Sequence, residues 1–336
     1  MQILRYILKR LLFVIPQMLG ILFISFFLIK LIPGDPAVLM LGPNATADAV
    51  AKLRAEMGLD LPVFQQFMIY LGNVLQGDLG MSWQSARPVL SDLMTRFPAT
   101  LELVTLSLLL AVVIGLGLGI ASAMRPRGAV RKAANYYGLL SGAIPDFWLA
   151  LVFIFVFYTL LGWAPAPLGR YSIMLIPPQT ITGSVLVDSL ITGRFDVFMS
   201  ALSHLALPVL TLGLVNAGPI LKATQSSMDR ALGSDFIAYA RMNGLPRRMI
   251  RRQALRAALP NIITIISVLY SFTIGAAVLV EIVFGWGGAG QYAVAGVLNS
   301  DLNPVLGFVI FSAVLSLIVY LIVDLLYFAL DPRTRG

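Results

Sequence analysis

The chain has 336 residues, 58% of them hydrophobic and only 12% charged, with 24 Lys and Arg against 16 Asp and Glu. Soluble domains carry about 25% charged residues, so this composition leaves too few polar groups to coat a water-exposed surface. With no cysteine and a single histidine, His204, disulfide frameworks, thiol catalysis and His- or Cys-based zinc sites are excluded.

Six of the runs without Asp, Glu, Lys or Arg read as spans: 11–29, 103–124, 147–169, 197–221, 257–280 and 302–323. Each exceeds the roughly 18 apolar residues that mark a membrane span, since about 20 residues at 1.5 Å rise cross a ~30 Å hydrocarbon core. An all-α polytopic membrane protein with six transmembrane helices is expected. A membrane barrel would show short alternating segments instead.

In chain order, the head (Arg5, Lys9, Arg10) and the first run superficially resemble a signal peptide. The run is too long for one, however, and leads into Lys30 rather than a small-residue cleavage site, so a retained helix over 1–32 is expected. Segment 33–98 holds a polar amphipathic stretch (Ala47 to Met57) and a second short helix from Pro62 onward. It reads as a small extracytoplasmic helical subdomain, preceding a core over 99–330. The spans of that core are expected at about 101–123, 137–162, 203–221, 260–283 and 304–328, with a connecting loop at 222–259. Gly115 and Gly119 share one face of the second span and permit close helix approach.

Loop charges set the orientation, because Lys and Arg accumulate on the cytoplasmic side. Segment 31–100 has four basic residues against six acidic ones, 125–132 has Arg125, Arg127, Arg131 and Lys132 with no acid, and 162–196 is balanced. Segment 222–256 has eight basic residues against Asp229 and Asp235, whereas 281–301 has only Glu281 and Asp301. The tail ends Arg333, Arg335. The alternation places both termini in the cytoplasm. Counting the uncharged, Gly-rich run 282–300 as a span would put Arg333 and Arg335 outside, so it reads as an extracytoplasmic loop or re-entrant piece, and 171–187, broken by Pro177-Pro178, is not a span for the same reason of parity.

The loop after the fourth span is the most informative segment. Ser234 or Asp235 suits a helix N-cap, and Gly244 suits the left-handed position that closes a helix. Pro246 fits the start of the next helix. The first helix exposes small residues, Ala238 and Ala240, flanked by Tyr239 and Arg241. The second alternates Arg247, Arg248, Arg251, Arg252 and Arg256 with Met249, Ile250, Ala254 and Ala257. That pattern describes a basic amphipathic helix suited to an anionic inner leaflet. A short capped helix held between two spans looks less like a lipid anchor than like a plug for a cleft in a cytoplasmic partner.

This segment resembles the cytoplasmic EAA loop of bacterial ABC-importer permeases, specifically the dipeptide/oligopeptide/nickel permease family. Further landmarks stand in order along the chain: Leu31-Ile-Pro-Gly-Asp-Pro36, Gly58-Leu-Asp-Leu-Pro62, Gly77-Asp-Leu-Gly-Met-Ser82, Arg96-Phe-Pro-Ala-Thr-Leu101 and His204-Leu-Ala-Leu-Pro208. Val280-Glu-Ile-Val-Phe-Gly-Trp286, Val323-Asp-Leu-Leu-Tyr327 and Leu330-Asp-Pro-Arg333 complete the series. Two departures stand out: Ala238-Tyr239-Ala240 lacks the glutamate that names the motif, and Trp286-Gly-Gly-Ala-Gly290 replaces a Trp-Pro-Gly-type run.

The resemblance implies a type I ABC-importer fold in the inner (plasma) membrane. It implies pairing with a homologous second permease, two cytoplasmic ABC ATPase subunits, and a periplasmic or lipid-anchored solute-binding protein. The ATPase-coupling helix would comprise Ser234, Asp235, Ala238, Tyr239, Ala240, Arg241, Asn243 and Gly244. The solute would be a di- or oligopeptide or peptide-like molecule, with nickel or another solute as the alternative. ATP and Mg would be used by the partners, with no cofactor bound by this chain and no nucleic-acid partner.

The residues independently support an external energy source. No G-x-x-x-x-G-K-[ST] loop is present, and the charge-free spans lack the ionisable relays of an ion-coupled secondary transporter. With one histidine, an H-E-x-x-H intramembrane enzyme is excluded, and no catalytic or metal-binding set is expected. Asp146, after Ile144-Pro145, is read as capping a broken helix or pairing at an interface, and Asp324 as pairing near the end of the last span. Glu281, among Phe284 and Trp286, belongs either to an interfacial aromatic belt or to a contact with the binding protein. His204 is read as a satisfied residue at a helix start. No substrate-lining residue is assignable, because polar residues inside spans serve equally as helix glue.

Overall fold

A computed structural model describes residues 2–30, 35–42 and 44–330. Arg333 and Arg335 lie outside the described residues, as do Leu31 to Gly34 and the side chains of Arg5, Lys9, Arg10, Asp324 and Tyr327. The elements in order are α1 (Gln2–Lys30), α2 (Pro36–Leu41), α3 (Ala47–Glu56), α4 (Val63–Leu75), β1 (Met81–Ser82), β2 (Arg87–Pro88) and α5 (Val89–Met124). Next come α6 (Ala129–Ala143), α7 (Asp146–Phe153) with a π-helical continuation (Ile154–Leu160), α8 (Val185–Ile191) and α9 (Phe195–Leu232). The chain closes with α10 (Asp235–Met242), α11 (Arg247–Val283), α12 (Ala289–Leu298) and α13 (Leu302–Leu330). It divides into two units, Met1–Phe97 with Gly288–Leu317, and Pro98–Gly287 with Ile318–Gly336.

Four described helices contain stretches long and apolar enough to cross a membrane: α5, α9, α11 and α13 over Leu302–Val323. The pair α6–α7 makes a fifth if its two halves, bent by 102°, count as one span. In α1 the described apolar stretch is Leu12–Leu28. The expected rod over 137–162 is thus two helices. The bend has a local cause: Pro145 disfavours the helical region for the residue before it, and Ile144 is accordingly extended (φ −94°, ψ 121°).

In the first unit, Asp35 caps α2 by accepting from the Ala37 N–H (3.0 Å), with Pro36 in the first turn, and Thr46 caps α3. Phe26 of α1 packs on Phe67 and Tyr70 of α4 with ring centroids 5.5 and 5.4 Å apart. The strands pair antiparallel, Met81 opposite Pro88 and Ser82 opposite Arg87. Val89 and Leu93, at the start of α5, sit so close to Gly307 of α13 that a Cβ there would approach both at 2.7 Å.

The second unit is built on α5, α9 and α11. Gly115 and Gly119 lie against α9, where added Cβ atoms would meet Ile220 at 2.7 Å and Thr224 at 2.6 Å. The two glycines therefore serve close helix packing, as expected of small residues at membrane-helix interfaces. Segment 171–187 is irregular until Val185. It is held by Asp188, which accepts from the Ile181, Thr182 and Gly183 N–H groups and from Thr182 Oγ1 at 2.7–3.2 Å. Burial pushes this carboxyl up, but those donors outweigh it and hold it below the usual carboxylate value.

Candidate functional site

The segment joining α9 to α11 contains α10, and its geometry is set by its ends. Ser234 takes the N-cap backbone conformation (φ −78°, ψ 155°), yet its hydroxyl does not cap. It turns back to donate to the Ala231 carbonyl instead. Asp235 occupies the first turn, where a carboxylate is favoured by the helix dipole. At the other end Gly244 is left-handed (φ +71°). Its N–H donates to the Arg241 carbonyl (3.0 Å) and the Leu245 N–H to that of Ala240 (3.1 Å). These two bonds make a Schellman closure. Asn243 adds a side-chain bond from Nδ2 to the Tyr239 carbonyl (2.9 Å).

The turn seats α10 by one face. Ile237, fully buried, joins Ala123, Met228, Ile250, Ala254 and Ala258 in one apolar cluster, against which Leu245 also packs. Ala240 is buried beside Ile237, which corrects the expectation that Ala238 and Ala240 are exposed together. At about 100° per residue, positions two apart diverge by roughly 200°, so only Ala238 faces outward. Tyr239 and Met242 share that outward side and are 67% and 80% exposed, while Phe236, at its flank, is 48% exposed. These side chains stand outside the apolar cluster that seats the helix, so this face of α10 is exposed apolar surface rather than core.

The flanks of α10 differ in chemistry. On one, Phe236, Tyr239, Asn243, Leu245, Gln253 and Arg256 border an open groove. On the other, Arg241 borders a concavity of about 910 Å³ with Arg125, Arg247, Arg248 and Arg251. The expected basic helix is the start of α11, continuous with the span. Its five arginines are exposed and Ile250, Ala254 and Ala258 are buried, while Met249 and Ala257 are exposed, contrary to the simple alternation. Arg131 of α6 grips Asp229 of α9 with two bonds of 2.8 and 3.1 Å, which ties the base of α10 to the neighbouring helix. Sequence reading missed this pair, since its partners are 98 residues apart.

Other singled-out residues fall inside the second unit. Glu281 and Trp286 are buried, which overturns both the belt and the binding-protein contact. Thr100 Oγ1 donates to Glu281 Oε1, and the Trp286 indole N–H donates to the Ala99 carbonyl (3.0 Å). His204 is satisfied by the Ser200 carbonyl (2.8 Å), but it lies well within α9 rather than at its start. Asp146 is the first residue of α7 and makes no cap bond; its Oδ1 is buried without a hydrogen-bond partner. Among the described residues no cluster of three His, Cys, Asp or Glu could hold a metal.

Comparison with known proteins matches residues 115–336 to the binding-protein-dependent transport system inner membrane component family and residues 3–104 to the N-terminal region of such components. The chain is 40% identical over 318 residues to the probable D,D-dipeptide transport system permease protein DdpB of Escherichia coli (strain K12), covering 94% of this chain and 92% of that one. It is 35% identical over 337 residues to the dipeptide transport system permease protein DppB of the same organism, covering 99% of both. It is 33% identical over 330 residues to the oligopeptide transport system permease protein AppB of Bacillus subtilis (strain 168), covering 98% of both.

Proposed function

The chain belongs to the binding-protein-dependent transport system inner membrane component family, and on that premise we propose that it is the permease subunit of an ABC importer for di- or oligopeptides. The proposed arrangement has six spans: α1, α5, the bent pair α6–α7, α9, α11 and α13, with both termini cytoplasmic. The core extends over 99–330 and is preceded by the periplasmic subdomain 33–98. A second, homologous permease, two ATPase subunits and a solute-binding protein complete the transporter. The peptide class is supported by the names of the three relatives.

In this reading α10 is the coupling helix. The carrying observation is that Ile237 and Ala240 anchor it while Phe236, Tyr239 and Met242 project from it. A cleft in an ATPase subunit would receive the projecting side chains. Because α9 and α11 are helices of 38 and 37 residues that α10 joins, a displacement of α10 is passed directly into two spans. ATP and Mg bind the partners, so this chain contributes the path and the lever.

Replacing Gly244 with Val places a β-branched residue at φ +71°, which costs about 1–3 kcal/mol of local strain. Uptake of a labelled dipeptide and co-purification of the ATPase should both fall at least tenfold, with the permease still in the membrane. Retention of both at wild-type level would refute the coupling role.

A further inference from the structure

The first unit contains a cavity of about 370 Å³, within the range of small-molecule sites. Its walls are largely apolar, with Phe26, Met57, Ile69 and Leu306 among them. Three polar atoms on its lining residues have no hydrogen-bond partner although they are buried: Asp301 Oδ1, Trp83 Nε1 and the Tyr70 hydroxyl. Asp301 is 1% exposed. Its other oxygen accepts from Ser82 Oγ (2.6 Å) and the Gln84 N–H (3.2 Å), so half of a buried carboxylate is tied down and half has no partner among the described residues.

The backbone is arranged to deliver that carboxylate. Helix α12 ends with Ser300 in the left-handed region (φ +57°), and the Asp301 N–H donates to the Gly296 carbonyl at 2.7 Å. A left-handed non-glycine residue is strained, and strain of this kind clusters at ligand sites. The other charged residues lining the cavity are engaged elsewhere. Lys30 Nζ donates to Gln66 Oε1 (2.6 Å), and Asp78 accepts from the Gly80 N–H. One water occupies about 30 Å³, so the cavity accommodates an organic body rather than a single solvent molecule. It lies just beyond the apolar stretch of α1, at Lys30, and where α13 begins, at Leu302.

The geometry points to a binding site for the ammonium group of a small zwitterion, with Asp301 Oδ1 as its counter-ion, Trp83 Nε1 and the Tyr70 hydroxyl as further polar contacts, and Lys30 toward its anionic end. A buried carboxylate oxygen favours a charged, donating partner over a neutral one. Two sources carry this chemistry at a membrane boundary: the headgroup of an ethanolamine phospholipid and the amino terminus of a short peptide. The cavity's chemistry stands whether or not the chain carries peptides.

The test uses the full chain in nanodiscs with two pairs of probes. Native mass spectrometry compares retention of phosphatidylethanolamine with phosphatidylcholine, whose quaternary nitrogen cannot donate. Calorimetric titration compares Ala-Ala with N-acetyl-Ala-Ala, which lacks the ammonium. One amine probe should bind at least tenfold more tightly than its blocked counterpart, and the pair that shows this identifies the source. Asp301→Asn should abolish the preference, and Trp83→Phe should weaken it severalfold. The comparison of free with blocked amine on the unaltered protein needs no variant and decides the matter if Asp301→Asn does not fold. Absence of preference in both pairs, or full preference in a folded Asp301→Asn protein, overturns the assignment.

Discussion

Helices α10 and α12 end in the same backbone closure with opposite chemistry in its key position. In α10 the left-handed residue is Gly244, with open space where a Cβ would stand. In α12 it is Ser300, a residue that adopts this conformation only at a cost, and the residue it introduces is the buried Asp301. The first turn is unstrained and presents exposed apolar side chains. The second is strained and presents a buried carboxylate whose surroundings satisfy only half of it. A shared fold motif therefore says little about role. The residue in the left-handed position, and the burial of its C-terminal neighbour, separate a helix with a projecting apolar face from one that delivers a buried carboxylate.

The largest contrast is expected within α10 itself. Ile237→Ala removes a fully buried side chain and should destabilise the seat of the helix by about 2–4 kcal/mol. Met242→Ala, on the outward side, should leave folding unchanged. Thermal unfolding of the purified chain separates the two, and equal destabilisation would remove the distinction between anchored and projecting faces. Next come the glycines. Gly296→Ala would drive a Cβ to within 2.7 Å of the Asp301 carbonyl oxygen, a backbone atom, and should cost about 1–3 kcal/mol. Gly244→Ala meets nothing and should cost about 1 kcal/mol, from the left-handed backbone alone. A smaller effect of opposite sign is expected at Ser300, where Ser300→Gly relieves strain and should stabilise by about 0.5–1 kcal/mol. A destabilised Ser300→Gly protein would show that the serine contributes more than its backbone.

The smallest effect concerns pH. Asp188 has a folded pKa held below its unfolded value, so its contribution is complete above the ordinary carboxylate range and is lost as pH falls through the depressed value. Proteolytic nicking of 171–192 should therefore rise only in acid, and Asp188→Asn should raise it at neutral pH. An acid-independent nicking rate in the unaltered chain would show that Asp188 does not hold this segment.

Much of the membrane architecture is legible in the sequence because it depends on runs of one property. The charge-free stretches 103–124, 197–221, 257–280 and 302–323 lie in α5, α9, α11 and α13, and Gly244 closes α10 as its residue type requires. Family resemblance rests on local motifs and is equally visible. What escapes is whatever a distant residue decides. Glu281 and Trp286 look interfacial until Thr100 and Ala99, more than 180 residues earlier, bury them. Ala240 looks exposed until Ala123, far earlier in the chain, and Ile250 gather around Ile237 and fix which side of α10 packs. The Ile144-Pro145 pair announces a break, but neither residue encodes a 102° bend. The enclosed carboxylate of Asp301 left no sequence signal at all, since its cavity is assembled from segments some 200 residues apart.

The docking role of α10 is tested most directly by a single cysteine. The chain has none of its own, so Met242→Cys provides a unique thiol at the most exposed position of the helix. In membranes containing the complete transporter, a short bifunctional thiol reagent should link this cysteine to an ATPase subunit carrying one cysteine in its permease-facing cleft, and the yield should change on addition of ATP and Mg. Labelling of Met242→Cys by an impermeant maleimide applied only to the periplasmic face, with no link to the ATPase, would contradict the assignment.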